Sequence, residues 1–337
     1  DSGRDGLVAD GCADATVAAG GRVLFSARYG IRGENASIVV LGNGGEVADS
    51  AHTNLWLGES ANATIAGALI RSTSSGLVIN PGATVTVAAG GYIAGSALHG
   101  IEVAINASLI MTGGRLEANA GSGIAVNGSA DVRGAYIVNN GPVAYGAGIL
   151  AYGPSATVVL HASVVQGGEA AGACLAVRAG AAATVSGGSS LLDGRARGAS
   201  SAGGCVLVDG ESSTLLLTSA TLRGCVSDGL GGALAVTSGG YALLNGSVLV
   251  SGDAASDGGG IWIDNALVDL AHGANISWSA STGHGGCIAI SASGSATLRD
   301  GAVVGPSCVA AGNGGGGGSF VVLADDSPAV IAGAGGG

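Results

Sequence analysis

Gly203-Gly204-Cys205-Val206-Leu207-Val208, Gly231-Gly232-Ala233-Leu234-Ala235-Val236 and Gly285-Gly286-Cys287-Ile288-Ala289-Ile290 are three copies of one pattern, small–Gly–small–apolar–x–apolar. Outward from these copies, the first apolar position recurs at Leu55, Leu77, Ile101, Ile124, Ile149, Leu175, Val206, Leu234, Ile261, Ile288 and Phe320, at intervals of 22 to 32 residues. A second element, Ala–Ser/Thr–apolar, follows each copy and also precedes the first. Its apolar position falls at Val17, Ile38, Ile65, Val85, Leu109, Val132, Val158, Val185, Leu215, Leu243, Val268, Leu298 and Val330. A looser apolar pair comes next, as in Val164-Val165 and Leu191-Leu192, and Gly, Asn or Asp usually follows it. Three short strands per period cannot enclose a core, so the periods must stack. Stacked coils hydrogen-bond along three parallel sheets, and inward apolar ladders fill the interior. The expected fold is all-β, a parallel β-helix of about 12 coils with three short strands each, a rod on the order of 60 Å long at ~4.8 Å per coil. It takes in residues 1–337 as one domain, with 1–16 a candidate N-terminal arm in a loop-like stretch from Asp1 to Val17, and 331–337 a Gly-rich tail.

Composition agrees. The chain has 337 residues, 67 of them Gly, and 47% are hydrophobic, too many for a disordered linker. Glycine lacks the period of three that a collagen helix needs. The formal charge is −11 and every basic residue is Arg, a balance that opposes nucleic-acid binding. No window reads as a membrane-spanning helix. The chain begins at Asp1 rather than Met, as a processed chain would.

The Gly-Gly-[Ala/Cys/Gly]-[Ile/Leu/Val] copies resemble the GGA[ILV] repeats of chlamydial polymorphic membrane proteins and related pectin-lyase-like β-helix repeat proteins. The resemblance implies a right-handed helix and a secreted or surface-exposed role as an adhesin or wall-associated protein.

Between the two inward apolar positions of the first strand lies one outward position. That ladder reads Trp56, Val78, Glu102, Ala125, Leu150, Ala176, Leu207, Ala235, Trp262, Ala289 and Val321, with Glu102 its single charge. A solvated sheet face should be polar, so this one is expected to be covered, by loops of the same chain or by a neighbouring subunit. Trp56, Leu150, Leu207, Trp262 and Val321 are the candidate assembly residues, and open coil ends are a second route to self-association.

Six cysteines permit fifteen pairings. Cys205–Cys225 and Cys287–Cys308 are equivalently placed, the first of each pair opening a coil and the second closing it. Cys174 stands one coil before Cys205 at the same rung, near enough for a stacked bridge instead. Cys12 and Cys174 are otherwise left over, and would need an intermolecular bond or a folded-back terminus. Sequons N-x-[S/T] occur at Asn35, Asn62, Asn106, Asn127, Asn245 and Asn275. Asn245 is the weakest candidate, because it sits two residues after the inward-assigned Leu243. An inward asparagine ladder in these turns would block glycosylation. Cysteines and sequons together point to an extracellular, cell-surface or cell-wall glycoprotein.

Catalysis has weak support. Gly283-His284-Gly285 is similar to the GHG element of polygalacturonases, and Ile261-Trp262-Ile263-Asp264 to the WIDH stretch of pectate lyases, with Asn265 where His is expected. The repeat already demands glycines followed by a strand at both places. Asp209 and Asp264 fall on one outward ladder two coils apart, ~9.6 Å by strand spacing, near the separation of inverting glycosidase carboxylates. Arg178 precedes Asp209 by one coil. The five histidines share no rung, so neither a metal nor a cofactor is expected. The reading that emerges is a non-enzymatic structural glycoprotein of a surface fibre, wall layer or adhesive matrix, self-associating and with glycan as a candidate contact. A lyase or hydrolase of acidic glycans, using Asp209, Asp264 and Arg178, is the alternative.

Overall fold

Apolar residues alternating with small or polar ones over three to five positions give strands too short to be stable alone. In the computed structural model, which describes residues 5–246, 248–291, 293–305, 307–311, 319–322 and 328–331, they stack into three parallel sheets. Sheet A holds twelve strands, from Leu7–Ala9 to Ile288–Ser291, and sheet B twelve more, from Asp14–Val17 to Ser295–Leu298. Sheet C runs through the third strand of each coil, from Arg22–Leu24 to Val303–Val304. Ladders such as Ile31, Leu55, Leu77 and Ile101 are fully buried inside, each such side chain contributing about 1.5–3 kcal/mol relative to exposure.

The residue after each early sheet C strand adopts the left-handed conformation: Phe25, Asp49, Arg71, Gly95, Ala118, Asn139, Gly167 and Asp193. This geometry favours the Gly, Asn and Asp seen there. The next residue then turns inward, giving the buried ladder Ser26, Ser50, Ser72, Ser96, Asn119 and Asn140. Asn119 Oδ1 accepts from the Ser96 amide at 3.1 Å, and Asn119 Nδ2 donates to Asn140 Oδ1 at 2.9 Å. An inward asparagine ladder therefore exists, but at the corner between sheets C and A, and neither Asn119 nor Asn140 belongs to a sequon.

Four expectations are corrected. The stretch expected to be a loop-like arm supplies two strands, Leu7–Ala9 and Asp14–Val17, and sheet A has a further unforeseen rung at Ile31–Gly33. Arg32 and Gly33 interrupt the apolar pattern that would have revealed it. In sheet B, Ile38 is 48% exposed while Val39 and Leu41 are buried, and Ala242 and Leu244 rather than Leu243 point inward. Sheet B has two inward ladders, and reading one apolar position per coil mixed them and admitted two outward residues. Phe320 does not open another rung. Its strand, Ser319–Val322, pairs antiparallel with Val303–Val304 and with Pro328–Ile331, which removes Phe320, Val321 and Val330 from the parallel ladders. Two nearby apolar segments close a shorter loop by pairing with each other than by making a new coil. Finally, in the longer late coils sheet C extends further along the corner, through Arg195–Ala196, Val226–Ser227, Asp253–Ala254, Ala280–Ser281 and Val309–Ala310. The drift of the repeat interval is thus extra structure at one corner.

Candidate functional site

The outer face of sheet A divides into a covered half and an open half. In the covered half Ala176, Leu207 and Ala235 are buried, packed with Tyr145, Leu150, Ala171, Ala202 and Trp262. The covering residues come from the corner loops that precede each sheet A strand, where Tyr145 bridges to Ala171 and Ala202 to Leu230. The chain's own loops therefore cover this part, and Leu207 is not available as an assembly residue. Leu150 and Trp262 are half-buried against the same cluster. Trp56 stacks on Tyr29 with ring centroids 5.6 Å apart. Val321 lies in the antiparallel strand, and its side chain is outside the described residues.

Arg178 stands at the boundary. Its guanidinium lies 3.5 Å from the centre of the Tyr145 ring and donates to Asp209 Oδ2 through Nε and Nη2, at 3.1 and 2.9 Å. Asp209 Oδ1 accepts from Thr237 Oγ1 at 2.9 Å. Burial pushes the Asp209 carboxyl up, but hydrogen bonds from Arg178, Thr237 and Ser238 and the Arg178 charge outweigh it and hold it below its ordinary value. Register places Arg178, Asp209, Thr237 and Asp264 on successive rungs, as the spacing predicted. Both Asp209 oxygens are engaged within the fold, an arrangement that locks a corner.

The open half is a groove of about 490 Å3. Val78, Ala125 and Leu150 form an apolar floor, and Asn80, His99, Glu102, Tyr152 and Arg178 supply polar edges. Tyr152 is 43% exposed. Ser75 Oγ donates to Glu102 Oε1. The Ser122 amide donates to His99 Nδ1 at 3.0 Å, which fixes the ring in the neutral form protonated on Nε2. Burial pushes His99 down, and the Glu102 charge only partly opposes it. In the sequence Glu102 stands out only as a charge in an apolar ladder, and nothing there marks His99, which a corner brings over the face. Among the described residues no cluster of His, Cys, Asp or Glu could hold a metal ion.

The sequons fall on distinct edges. Asn35, Asn62, Asn106 and Asn127 lie along the corner between sheets A and B, the first three exposed and Asn127 half-buried. Asn245 ends a sheet B strand, and Asn275 opens a sheet C strand with its Oδ1 buried and unpartnered. Because Leu243 points outward, the reason for ranking Asn245 lowest disappears.

Cys205–Cys225 and Cys287–Cys308 are disulfides, with Cα atoms 5.2 and 5.1 Å apart. Each links the start of a sheet A strand to the sheet C side of the same coil. Cys174 and Cys12 are free, Cys174 buried and Cys12 exposed. Burial pushes the Cys174 thiol up to about 12, which makes it inert to exchange with the neighbouring Cys205–Cys225 bridge.

Residues 5–165 match the family model of the right handed β-helix region. Together with the stacked parallel sheets, this makes the fold a right-handed parallel β-helix with three strands per coil. No curated protein matches the sequence. Among solved structures, the crystal structure of a TibC-catalysed hyper-glycosylated TibA fragment aligns over 91% of this chain and 98% of that one, at 15% identity and a TM-score of 0.26. A score that low adds nothing to the architecture derived above. No helix among the described residues is long and apolar enough to cross a membrane.

Proposed function

We propose that the protein is a non-enzymatic extracellular structural glycoprotein, a rod-like subunit of a surface fibre, wall layer or adhesive matrix. The observation that carries this reading is the unbroken stack of coils, locked by two intra-coil disulfides, with exposed sequons at Asn35, Asn62 and Asn106 along one corner. Disulfides persist in oxidising compartments, and a parallel stack supplies stiffness because each coil is held by its neighbours. Of the two carboxylates considered for a glycan-cleaving enzyme, Asp209 is engaged by Arg178 and Thr237 within the fold.

Self-association belongs on sheet B rather than on the covered part of sheet A. Ile38, Ile110, Val159 and Leu267 point outward from sheet B and are 48, 37, 38 and 52% exposed. Ile110 and Val159 lie on one outward ladder two rungs apart, on either side of Asp131, and such exposed apolar residues on a sheet face favour lateral pairing. Secreted protein examined by electron microscopy should show rods joined side by side. An Ile110→Arg/Val159→Glu variant should give single rods, and neither protein should shorten polygalacturonate. Single rods from the unaltered chain, or cleavage of that polymer lost on Asp264→Asn, would overturn the reading.

A further inference from the structure

Apart from Arg32 and Glu102 the outward ladder of sheet A is apolar, and the chain's loops pack over its stretch Ala176, Leu207 and Ala235. Val78, Ala125 and Leu150 still form the floor of an open groove. Asn127, the first residue of the sequon Asn127-Gly128-Ser129, follows directly on the strand Ile124–Val126 that carries Ala125, next to the groove-lining residues without lining the groove itself. Its amide is fixed by the Val103 carbonyl at 2.8 Å, and its side chain is half-buried. Asn80, on the groove edge, commits its Nδ2 to the Leu57 carbonyl at 2.7 Å. The carboxamide rests against the next coil, where only a glycine admits it. Gly153 has a φ of +90°, and a Cβ there would lie 2.8 Å from Asn127 Oδ1.

We infer that the open half of this face is the seat of an N-linked glycan carried by Asn127. The inference rests on the glycoprotein reading above and adds where one glycan goes. Attachment joins Asn127 Nδ2 to the anomeric carbon of an oligosaccharide donated by a lipid diphosphate. Nδ2 gives up one proton and the lipid diphosphate leaves, with no oxidation or reduction. The groove matches the chemistry of sugars. C–H faces of the rings lie on Val78, Ala125 and Leu150, and hydroxyls reach Glu102, Tyr152 and the Nε2–H of His99. About 490 Å3 lies within the ~300–1,000 Å3 of clefts that hold small ligands. The glycan then does on the open half what Tyr145, Ala171 and Ala202 do on the covered half.

The test is site-resolved mass spectrometry of the full chain secreted from a eukaryotic host, during digestion by an endoglycosidase that cuts the glycan core. In the native protein, release at Asn127 should be at least about tenfold slower than at Asn62, the factor given by a seat favoured by about 1.4 kcal/mol. After denaturation the two rates should be equal. Ala125→Arg, which fills the floor, and Tyr152→Ala, an exposed change that the fold tolerates, should each bring the native rate at Asn127 towards that at Asn62. Equal native rates in the unaltered protein overturn the inference, as does a slow rate unchanged by Tyr152→Ala. Carbohydrate at Asn35, Asn62 or Asn106 with none at Asn127 overturns the inference alone. Carbohydrate at no sequon overturns the glycoprotein reading with it.

Discussion

The two halves of the outer face of sheet A carry the same kind of residue at the same spacing, yet Ala235 is buried and Val78 lies in an open groove. What separates them is the length of the corner before each strand. Where the corner is long, as before Leu175, Val206 and Leu234, it extends sheet C or adds a bridge and folds back over sheet A. Where it is short, as before Leu77 and Ile101, the sheet stays uncovered. Cover on a β-helix is therefore a property of the turns, and the ladder residues only create the demand for it.

The largest test of this contrast places a charge in each half. Ala235→Asp buries an unpaired carboxylate under the loops and should cost about 3–5 kcal/mol. Val78→Asp, in the groove, should stay near the ~0.5 kcal/mol of an ordinary surface change. Denaturant unfolding of both variants from a host that does not glycosylate would check this, and equal losses would erase the distinction between the halves.

Next in size is the bridge within a long coil. Replacing Cys205 and Cys225 together by Ala opens a loop of sequence separation 20 and should lower stability by about 3 kcal/mol on the chain-entropy estimate. Limited proteolysis should then cut the late coils before the early ones. Cleavage beginning in the early coils would show that the disulfide does not hold the covered half together.

Arg178→Ala acts at the border. It removes the stack on Tyr145 and leaves Asp209 with Thr237, a loss on the order of 1.5–3 kcal/mol. Hydrogen exchange should rise in residues 142–148 with little change in strands near Leu77. A uniform rise would mean that the loops are not anchored there.

The smallest effect is one of pH and concerns only the open half. His99 binds its proton less tightly in the folded chain than its ordinary 6.5, because burial disfavours the charged ring. Below about pH 6.5 the unfolded chain therefore holds more protons, so stability is full above that pH and falls on acidification towards the lowered folded value. His99→Asn keeps an acceptor near the position of Nδ1 and should flatten the dependence of Tm on pH between about 5 and 7. An unchanged slope would assign the acid sensitivity to other groups.

The repeating strands were legible because their inward positions must be apolar whatever surrounds them. The register of Leu55, Leu77 and Ile101, the disulfides Cys205–Cys225 and Cys287–Cys308, and the alignment of Arg178, Asp209 and Asp264 all follow from the same count. Errors came where the count was weak. Ile31-Arg32-Gly33 breaks the alternation, and Ile38 and Leu243 are apolar residues that face outward. The groove was not legible, since His99 and Glu102 belong to one coil and Tyr152 to another two rungs on, and the three are brought together only by stacking.

The order of residues along the chain determined that coils form, stack in parallel and repeat in register, because backbone hydrogen bonding and inward burial act within one period and its neighbour. Which parts of the outer face are closed depended on where each long corner finally rests. That is a contact between coils, set by shape and packing across the stack, and only the folded molecule expresses it.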